Sequence, residues 1–385
     1  MKILVAPNTL RGSIDAVAAA DAIAAGLRRA LPRATFALCP IADGGDLTTE
    51  ILVRARGGRL VMAEVLDPFG RPCRAAFGVL PDNTGVVEVA AASGVRLLQP
   101  SERDPMRATS YGTGQLIRAA LDAGARRLII GLGGSATVDG GAGIVEALGG
   151  RLLDAGGAPI GRGGGGLARL DRIEMGSLDA RLRDTEIVVA CDVDNPLTGK
   201  DGAARVFGPQ KGATPDMVAA LDRNLEQLAG ALARASGKDV LALRGGGAAG
   251  GIAATLWALF SARLERGVEL MLTSTGFYDH LCGAALVVTS EGMLDRQTLQ
   301  HKAPLGVAEA ARARGVPVIV LAGGIADEVT SHEFAVFDAM LGLCRRPLPL
   351  EAAMAKGREW LELAAEQAGR LIDIGTRMCA EERTQ

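Results

Sequence analysis

Aromatic side chains are scarce: Phe, Trp and Tyr make up only 3% of the 385 residues. Platforms on which nucleic-acid bases stack are correspondingly few. An excess of charge of one sign is missing too. Lys and Arg number 42 against 44 Asp and Glu, a net charge of −2, and the basic residues are scattered as on solvated helix faces. No nucleic-acid partner is therefore expected. No apolar run approaches the roughly 18 residues of a membrane helix. The opening MKILVAPNTL holds a short apolar run stopped by Pro7, too brief for the hydrophobic part of a signal peptide. No membrane association is expected, and a cytoplasmic location is. The six cysteines, Cys39, Cys73, Cys191, Cys282, Cys344 and Cys379, form no CxxC pair and read as small thiols of a reducing compartment. The three histidines, His280, His301 and His332, are too dispersed for a metal site. No GxxxxGK[ST] occurs, so a nucleotide site would have to be of another kind.

What is present is ordinary globular material. Hydrophobic residues make up 48% and charged residues 22%, with 52 glycines. That is an Ala/Gly/Val-rich composition suited to an α/β protein. Single cores rarely grow beyond about 250–300 residues, so two domains are expected.

Apolar runs alternate with helical patterns. Lys2–Ala6 reads as a strand stopped by Pro7. Ser13 then caps a helix to about Leu31, with Asp15 in its first turn. Thr35–Cys39 reads as the next strand. Arg59–Val65, Cys73–Leu80 and Gly85–Val89, separated by the turn signals DPFG and PDNTG, read as an antiparallel meander. The alternation then returns, with strands at Arg127–Gly131, Glu186–Ala190, Val268–Leu272, Ala285–Thr289, Val316–Ala322 and Ala335–Met340. The expected fold class is α/β, with two discontinuous α/β domains. A Rossmann- or flavodoxin-like parallel-sheet domain, residues 1–58 plus 285–385, carries an inserted mixed α/β domain, residues 59–284. The four-glycine run Gly163–Gly166 reads as a flexible surface turn.

Polar, glycine-rich loops follow several of these strands, where α/β proteins bind ligands. The richest is GLGGSATVDGGA after Arg127–Gly131. Glycines let backbone N–H groups approach a phosphate. Ser135 and Thr137 add hydroxyl donors, and Asp139 offers a carboxylate for Mg²⁺. Gly131-x-Gly133-x-x-Ala136 also fits a dinucleotide fingerprint, with Asp154 downstream, which would make the chain an NAD-dependent oxidoreductase. Against that, Asp139-Gly140-Gly141 fall where the helix of that fingerprint should already run. Each Gly costs about 1 kcal/mol in a helix interior.

Asp43-Gly44-Gly45-Asp46 is a second loop, read either as a ligand site or as a capped tight turn. Cys191-Asp192-Val193-Asp194-Asn195 sets two carboxylates and an amide at a strand end, which suits Mg²⁺. One of its aspartates at most should point inward. Lys211, in FGPQKG, is placed either to meet a phosphate or to lie in solvent. Glu291, Asp295, Gln297, Thr298 and Lys302 crowd one loop after Ala285–Thr289. Arg11, in the first loop, is a fork for a carboxylate or phosphate. The hydroxyls of Thr109-Ser110-Tyr111-Gly112-Thr113 cap a helix as well as they would bind a ligand.

At these residues, over nearly the whole length, the chain resembles the bacterial type I glycerate kinase family. GLGGSATVDGGAG at 131–143, ACDVDNPL at 190–197 and VFGPQKGATP at 206–215 carry the resemblance, with ADGG at 42–45, SYGTG at 110–114 and GAAGG at 247–251. It implies transfer of phosphate from ATP, with Mg²⁺, to the small-molecule substrate D-glycerate, with 2-phosphoglycerate the usual product. It also implies a site in the cleft between the two domains. Departures gather in the acid-side loops. Asn8 stands for the family's usual acid, Arg11 for lysine, Asp46 for glutamate and Met293 for arginine, while Ser290 and His301 replace glycines. A kinase of a related hydroxy-acid, or a weakened member of the family, are the alternatives these departures raise. A homodimer is left open.

With that resemblance, Gly133, Gly134, Ser135, Thr137 and Lys211 are expected at the ATP phosphates. Asp192 and Asp139 are expected at Mg²⁺. Asp192 first, and Asp43 second, would orient the substrate hydroxyl. Arg11 and Lys302 would neutralise the substrate carboxylate and the moving phosphoryl group. Asn8, Gly44, Gly45, Asn195, Glu291, Asp295 and Gln297 would bind the acid.

Overall fold

Two large sheets of different construction and a small two-stranded one organise the chain in the computed structural model, which describes residues 1–10, 12–41, 48–299, 303–330, 332 and 334–382. Its strands in chain order are β1 (Lys2–Val5), β2 (Thr35–Leu38), β3 (Arg59–Leu66), β4 (Pro72–Val79), β5 (Thr84–Glu88), β6 (Arg127–Gly131), β7 (Arg151–Leu153), β8 (Arg172–Glu174), β9 (Glu186–Ala190), β10 (Arg263–Glu265), β11 (Leu286–Leu294), β12 (Val318–Ile325) and β13 (Ala339–Gly342). The fold is mixed α/β, and the chain divides into two compact units, Met1–Asp43 with Val268–Gln385, and Gly44–Gly267.

The first unit is built on a five-stranded sheet in the order β13-β12-β11-β1-β2, every pair parallel. Counted within the unit, that order is 2-1-3-4-5, the flavodoxin-like arrangement, and its switch point falls between β1 and β11. Ile3 and Val5 of β1 and Val288 of β11 are buried in the core. Helix Ala16–Ala30 packs on the long helix Gly357–Glu382, its buried face made largely of alanines. The cap of that first helix is Asp15, which accepts the Ala18 N–H at 2.8 Å. Ser13, the expected cap, instead donates to the Met354 carbonyl at 2.6 Å.

The second unit holds a six-stranded mixed sheet, β10-β9-β6-β5-β4-β3. The β3–β4–β5 meander is antiparallel, and β5, β6, β9 and β10 run parallel. Register sets Glu88, Gly131, Ala190 and Glu265 in one row at the ends of those four strands. The loops that follow therefore leave from one edge.

The unit boundaries differ from those expected at residues 58 and 284, for packing reasons. Helix Thr48–Arg56 belongs with the second unit because Thr49 and Val53 lie over Gly78 of β4. Val268–Leu272, expected as a strand, is part of helix Gly267–Ser274. Val268, Leu270, Met271 and Leu272 are all buried there. Only the exposed Glu269 interrupts this run, and a short, mostly apolar run looks alike as a strand and as a helix. This segment sits with the first unit: Val268 touches Gly306, and the Cys39 Sγ lies 3.3 Å from the Thr275 hydroxyl.

The four-glycine run is no flexible turn. Gly164 would bring a Cβ to 2.5 Å from the Val138 carbonyl and 2.4 Å from Leu221. The Gly165 N–H donates to Met106 O, and Asn224 Nδ2 to Gly164 O. Glycine is needed here because three pieces of backbone meet where no side chain fits. No helix among the described residues is long and apolar enough to cross a membrane.

Candidate active site

The loop after β6 is the centre of the second unit's polar edge. It leaves Gly131, passes Gly133 and Gly134 near the surface, and returns inward at Ser135. Gly134 adopts φ 69°, which glycine takes without strain. Backbone bonds from Val95 N–H to Gly134 O and from Ala136 N–H to Ser93 O pin the loop to the segment after β5. No helix opens until Ala142, and it is six residues long. The dinucleotide fingerprint needs its helix straight after the glycines, so its structural context fails here. Asp154, the downstream acid of that fingerprint, accepts N–H bonds from Gly156 and Ala158 in its own turn.

Asp139 is fully buried, and its oxygens are committed to the protein. Oδ2 accepts from the Ser110 N–H and hydroxyl, both at 2.8 Å, and Oδ1 from the Gly141 N–H at 3.1 Å. The Gly143 N–H and the Thr109 hydroxyl complete the set. A carboxylate so enclosed ties the loop to the SYGTG helix start and presents no oxygen to a hydrated cation. The same bonds explain why Thr109 and Ser110 carry hydroxyls.

Lys211 is 3% exposed and lies behind the loop. Its Nζ donates to Ser135 Oγ at 2.8 Å and to Thr137 O at 2.7 Å. Burial pushes its ammonium down to about 7, against a weaker opposing pull from Asp139. Of the two expected placements, the one in solvent does not hold. Thr137 Oγ1 is buried and has no hydrogen-bond partner among the described residues. A buried hydroxyl left so is costly unless something supplies a partner.

The segment GAAGG sits directly behind this loop, and nothing in its spelling announces that. Gly140 N–H donates to Gly250 O, and a Cβ on Gly250 would lie 2.1 Å from Thr137 O. Gly250 and Gly251 have φ 70° and 94°, and Ala249 shares the left-handed conformation at φ 52°.

After β9, Asp192 and Asp194 part company. Asp192 is half-buried, and its Oδ1 accepts the Gly267 N–H at 2.7 Å, joining the loops after β9 and β10. Asp194 is exposed and paired with Arg244 at 2.6 Å. Asn195 donates to Asp201 O, which shapes the turn. Burial raises the neighbouring Cys191 thiol to about 11, which disfavours the nucleophilic thiolate. Among the described residues no three His, Cys, Asp or Glu side chains gather as a metal cage. Mg²⁺ held by one carboxylate and donor phosphates needs no such cage, and Asp192 fits that role.

In the first unit, the switch point brings Asn8 and Glu291 together, 6% and 7% exposed. Asn8 Nδ2 donates to Glu291 Oε2 at 3.4 Å. Asn8 N–H donates to Ser290 O, and the Ser290 hydroxyl returns a bond to Asn8 O at 3.0 Å. Asp295 and Thr298 cap each other's backbone N–H around the turn Arg296–Leu299, which contains Gln297. Arg11, Asp43, Gly44, Gly45 and Lys302 lie outside the described residues.

Comparison with known proteins places the chain in a family. The family model described as "Glycerate kinase family" matches residues 3–373. A glycerate kinase of Bacillus subtilis (strain 168) is 45% identical over 379 residues, spanning 98% of this chain and 99% of its own. The glycerate 2-kinase of Escherichia coli (strain K12) is 42% identical, with the same coverage of both. A crystal structure of a protein described as a glycerate kinase 2, from Salmonella typhimurium LT2, superposes with a TM-score of 0.89 at 45% identity, over 98% of this chain and 99% of that one. The chain belongs to the glycerate kinase family and is a kinase, a phosphotransferase.

Proposed function

We propose that this kinase transfers the terminal phosphoryl group of ATP to D-glycerate and forms 2-phosphoglycerate. The observation that carries this reading is the intact glycine loop after β6, with the buried Lys211 behind it, in a chain 42% identical to a glycerate 2-kinase. Phosphoryl transfer asks a protein mainly for positioning and for stabilising charge. Backbone N–H groups at Gly133 and Gly134, with the Ser135 and Thr137 hydroxyls, are suited to hold phosphate oxygens. Asp192 is the residue proposed to hold Mg²⁺, which when bound offsets the negative charge of the phosphates. Asp192 is also the first choice to orient the acceptor hydroxyl, with Asp43 second. Asp139 is assigned to shaping the loop. Asn8, Glu291 and Asn195 are proposed to touch the acid, and Arg11 and Lys302 to neutralise anionic groups.

A second reading concerns the acceptor only. Asn8 presents an amide to Glu291 at 3.4 Å, where the family pattern has an acid. That exchange changes the polarity of a buried pair, so a related small hydroxy-acid is the alternative substrate. An assay coupled to ADP release, run over glycerate, hydroxypyruvate, tartronate and erythronate, separates the two. Glycerate should give the highest kcat/KM, and phosphorus NMR should show the phosphate on the 2-hydroxyl. Absence of turnover with glycerate, or a product phosphorylated at the 3-position, would overturn the proposal.

A further inference from the structure

We propose that Lys211 is a positioning residue that forces the Ser135 hydroxyl to act as a donor toward the nucleotide, without touching the nucleotide itself. This deepens the reading above and rests on it. Nζ is wholly interior, and its two bonds run to Ser135 Oγ and Thr137 O, at 2.8 and 2.7 Å. An ammonium has donors and no lone pair. While Nζ is charged Ser135 therefore accepts from it, and the hydroxyl's single proton is turned away from Nζ. No acceptor for that proton occurs among the described residues. Two residues along the same loop, the buried Thr137 Oγ1 also lacks a partner. Two hydroxyls on one glycine loop thus hold unspent donor capacity at the end of β6.

The ligand class that fits is a polyanion with clustered oxygens, such as the phosphates of a nucleoside triphosphate. The charge reinforces the polarity. Burial disfavours the ammonium when the loop stands alone, and a polyanion held in front of the loop favours it. The nucleotide thereby strengthens the arrangement that points Ser135 toward it. Lys211 acts from behind, so its contribution passes through Ser135.

Calorimetric titration with a non-hydrolysable ATP analogue, in the absence of any acid substrate, tests this on four proteins: the wild type, Ser135→Ala, Lys211→Met and the double variant. Each single substitution should weaken binding roughly 10- to 100-fold, the range for hydrogen bonds to charged groups. The double variant should bind about as weakly as Lys211→Met alone, because one interaction is lost in each. The KM for glycerate at saturating nucleotide should be unchanged in every variant. Lys211→Gln replaces Lys211→Met if the latter does not fold; its amide can accept from Ser135 as well as donate to it, so it fixes the Ser135 proton less firmly and should show a smaller but measurable loss. Wild-type affinity in the lysine variant overturns the proposal, and so do fully additive effects in the double variant. A wild type that binds no ATP analogue overturns the nucleotide reading together with this one. A wild type that binds it but turns over no glycerate damages only the substrate assignment.

Discussion

The two polar edges of this protein are made of different material. On the second unit, the loop after β6 is shaped by backbone: glycines at φ above zero, carbonyls facing carbonyl-bound N–H groups, and two buried side chains, Asp139 and Lys211, spent on holding it. On the first unit, the switch point between β1 and β11 is lined by side chains, with the Asn8 amide against the Glu291 carboxylate. A site made of backbone tolerates almost no change, because a Cβ has nowhere to go. A site made of side chains can be retuned one residue at a time. The family's glycine motifs are intact here, whereas Asn8, Arg11 and Met293 depart from its pattern, and the contrast in construction accounts for that.

Perturbing each edge should break or sharpen this contrast. The largest effect is expected at Asp192. Asp192→Asn keeps an oxygen that can accept the Gly267 N–H, so the fold should survive, and it removes the charge. Turnover in the ADP-release assay should fall by roughly 10²–10⁴, the span for a group acting on the reacting proton. Near-normal kcat would remove Asp192 from both of its proposed roles.

Next comes the backbone edge. Gly250→Ala places a methyl 2.1 Å from Thr137 O at a residue with φ 70°. Strain of that kind costs on the order of 1–3 kcal/mol, visible as a lower thermal midpoint and a raised Kd for ATP. An unchanged midpoint would show that the loop yields more than its packing implies.

The side-chain edge should respond differently. Asn8→Asp sets a second carboxylate beside Glu291. Like charges in contact raise the pKa of one partner, so the acid limb of the pH–rate profile should move to higher pH with little loss of thermal stability. A profile that stays in place would separate Glu291 from the rate.

The last effect concerns stability and leaves the chemistry alone. Lys211 titrates near 7 when folded against 10.5 in its ordinary state. Between those values the unfolded chain binds more protons, so stability should rise with pH from about 7 toward 10.5. Lys211→Met should flatten that slope in denaturant titrations at several pH values. An equal slope in both proteins would argue against a buried, weakened ammonium.

Much of this was readable before the fold was known, and the unread parts share a cause. The meander β3–β4–β5 followed from two turn signals and alternating strands, and β9 from a plain apolar run ahead of Asp192. The strand β10 was missed because Arg263-Leu264-Glu265 has no apolar run at all; it exists only by pairing with β9. Helix Gly267–Ser274 reads as a strand because four of the five residues Val268–Leu272 are apolar, and so short a run shows no clear period. Asp139 was read as a cation ligand, since a short sequence shows a carboxylate but hides the Ser110 hydroxyl that consumes it. Gly163–Gly166 looked like a flexible turn for the same reason: Met106 and Leu221, which close it in, lie far away in the chain.

The sequence by itself determined the α/β class, the glycine loop after β6 and the carboxylate after β9. Each depends on local requirements, namely which residues tolerate φ above zero, which alternate, and which end a strand. Only the tertiary structure decided that Lys211 stands behind the loop, that Asp139 is an anchor, and that Gly250 must be glycine because Thr137 is there. Burial and hydrogen-bond partnership belong to pairs of residues distant in the chain, and they come into being only when the backbone brings those pairs together.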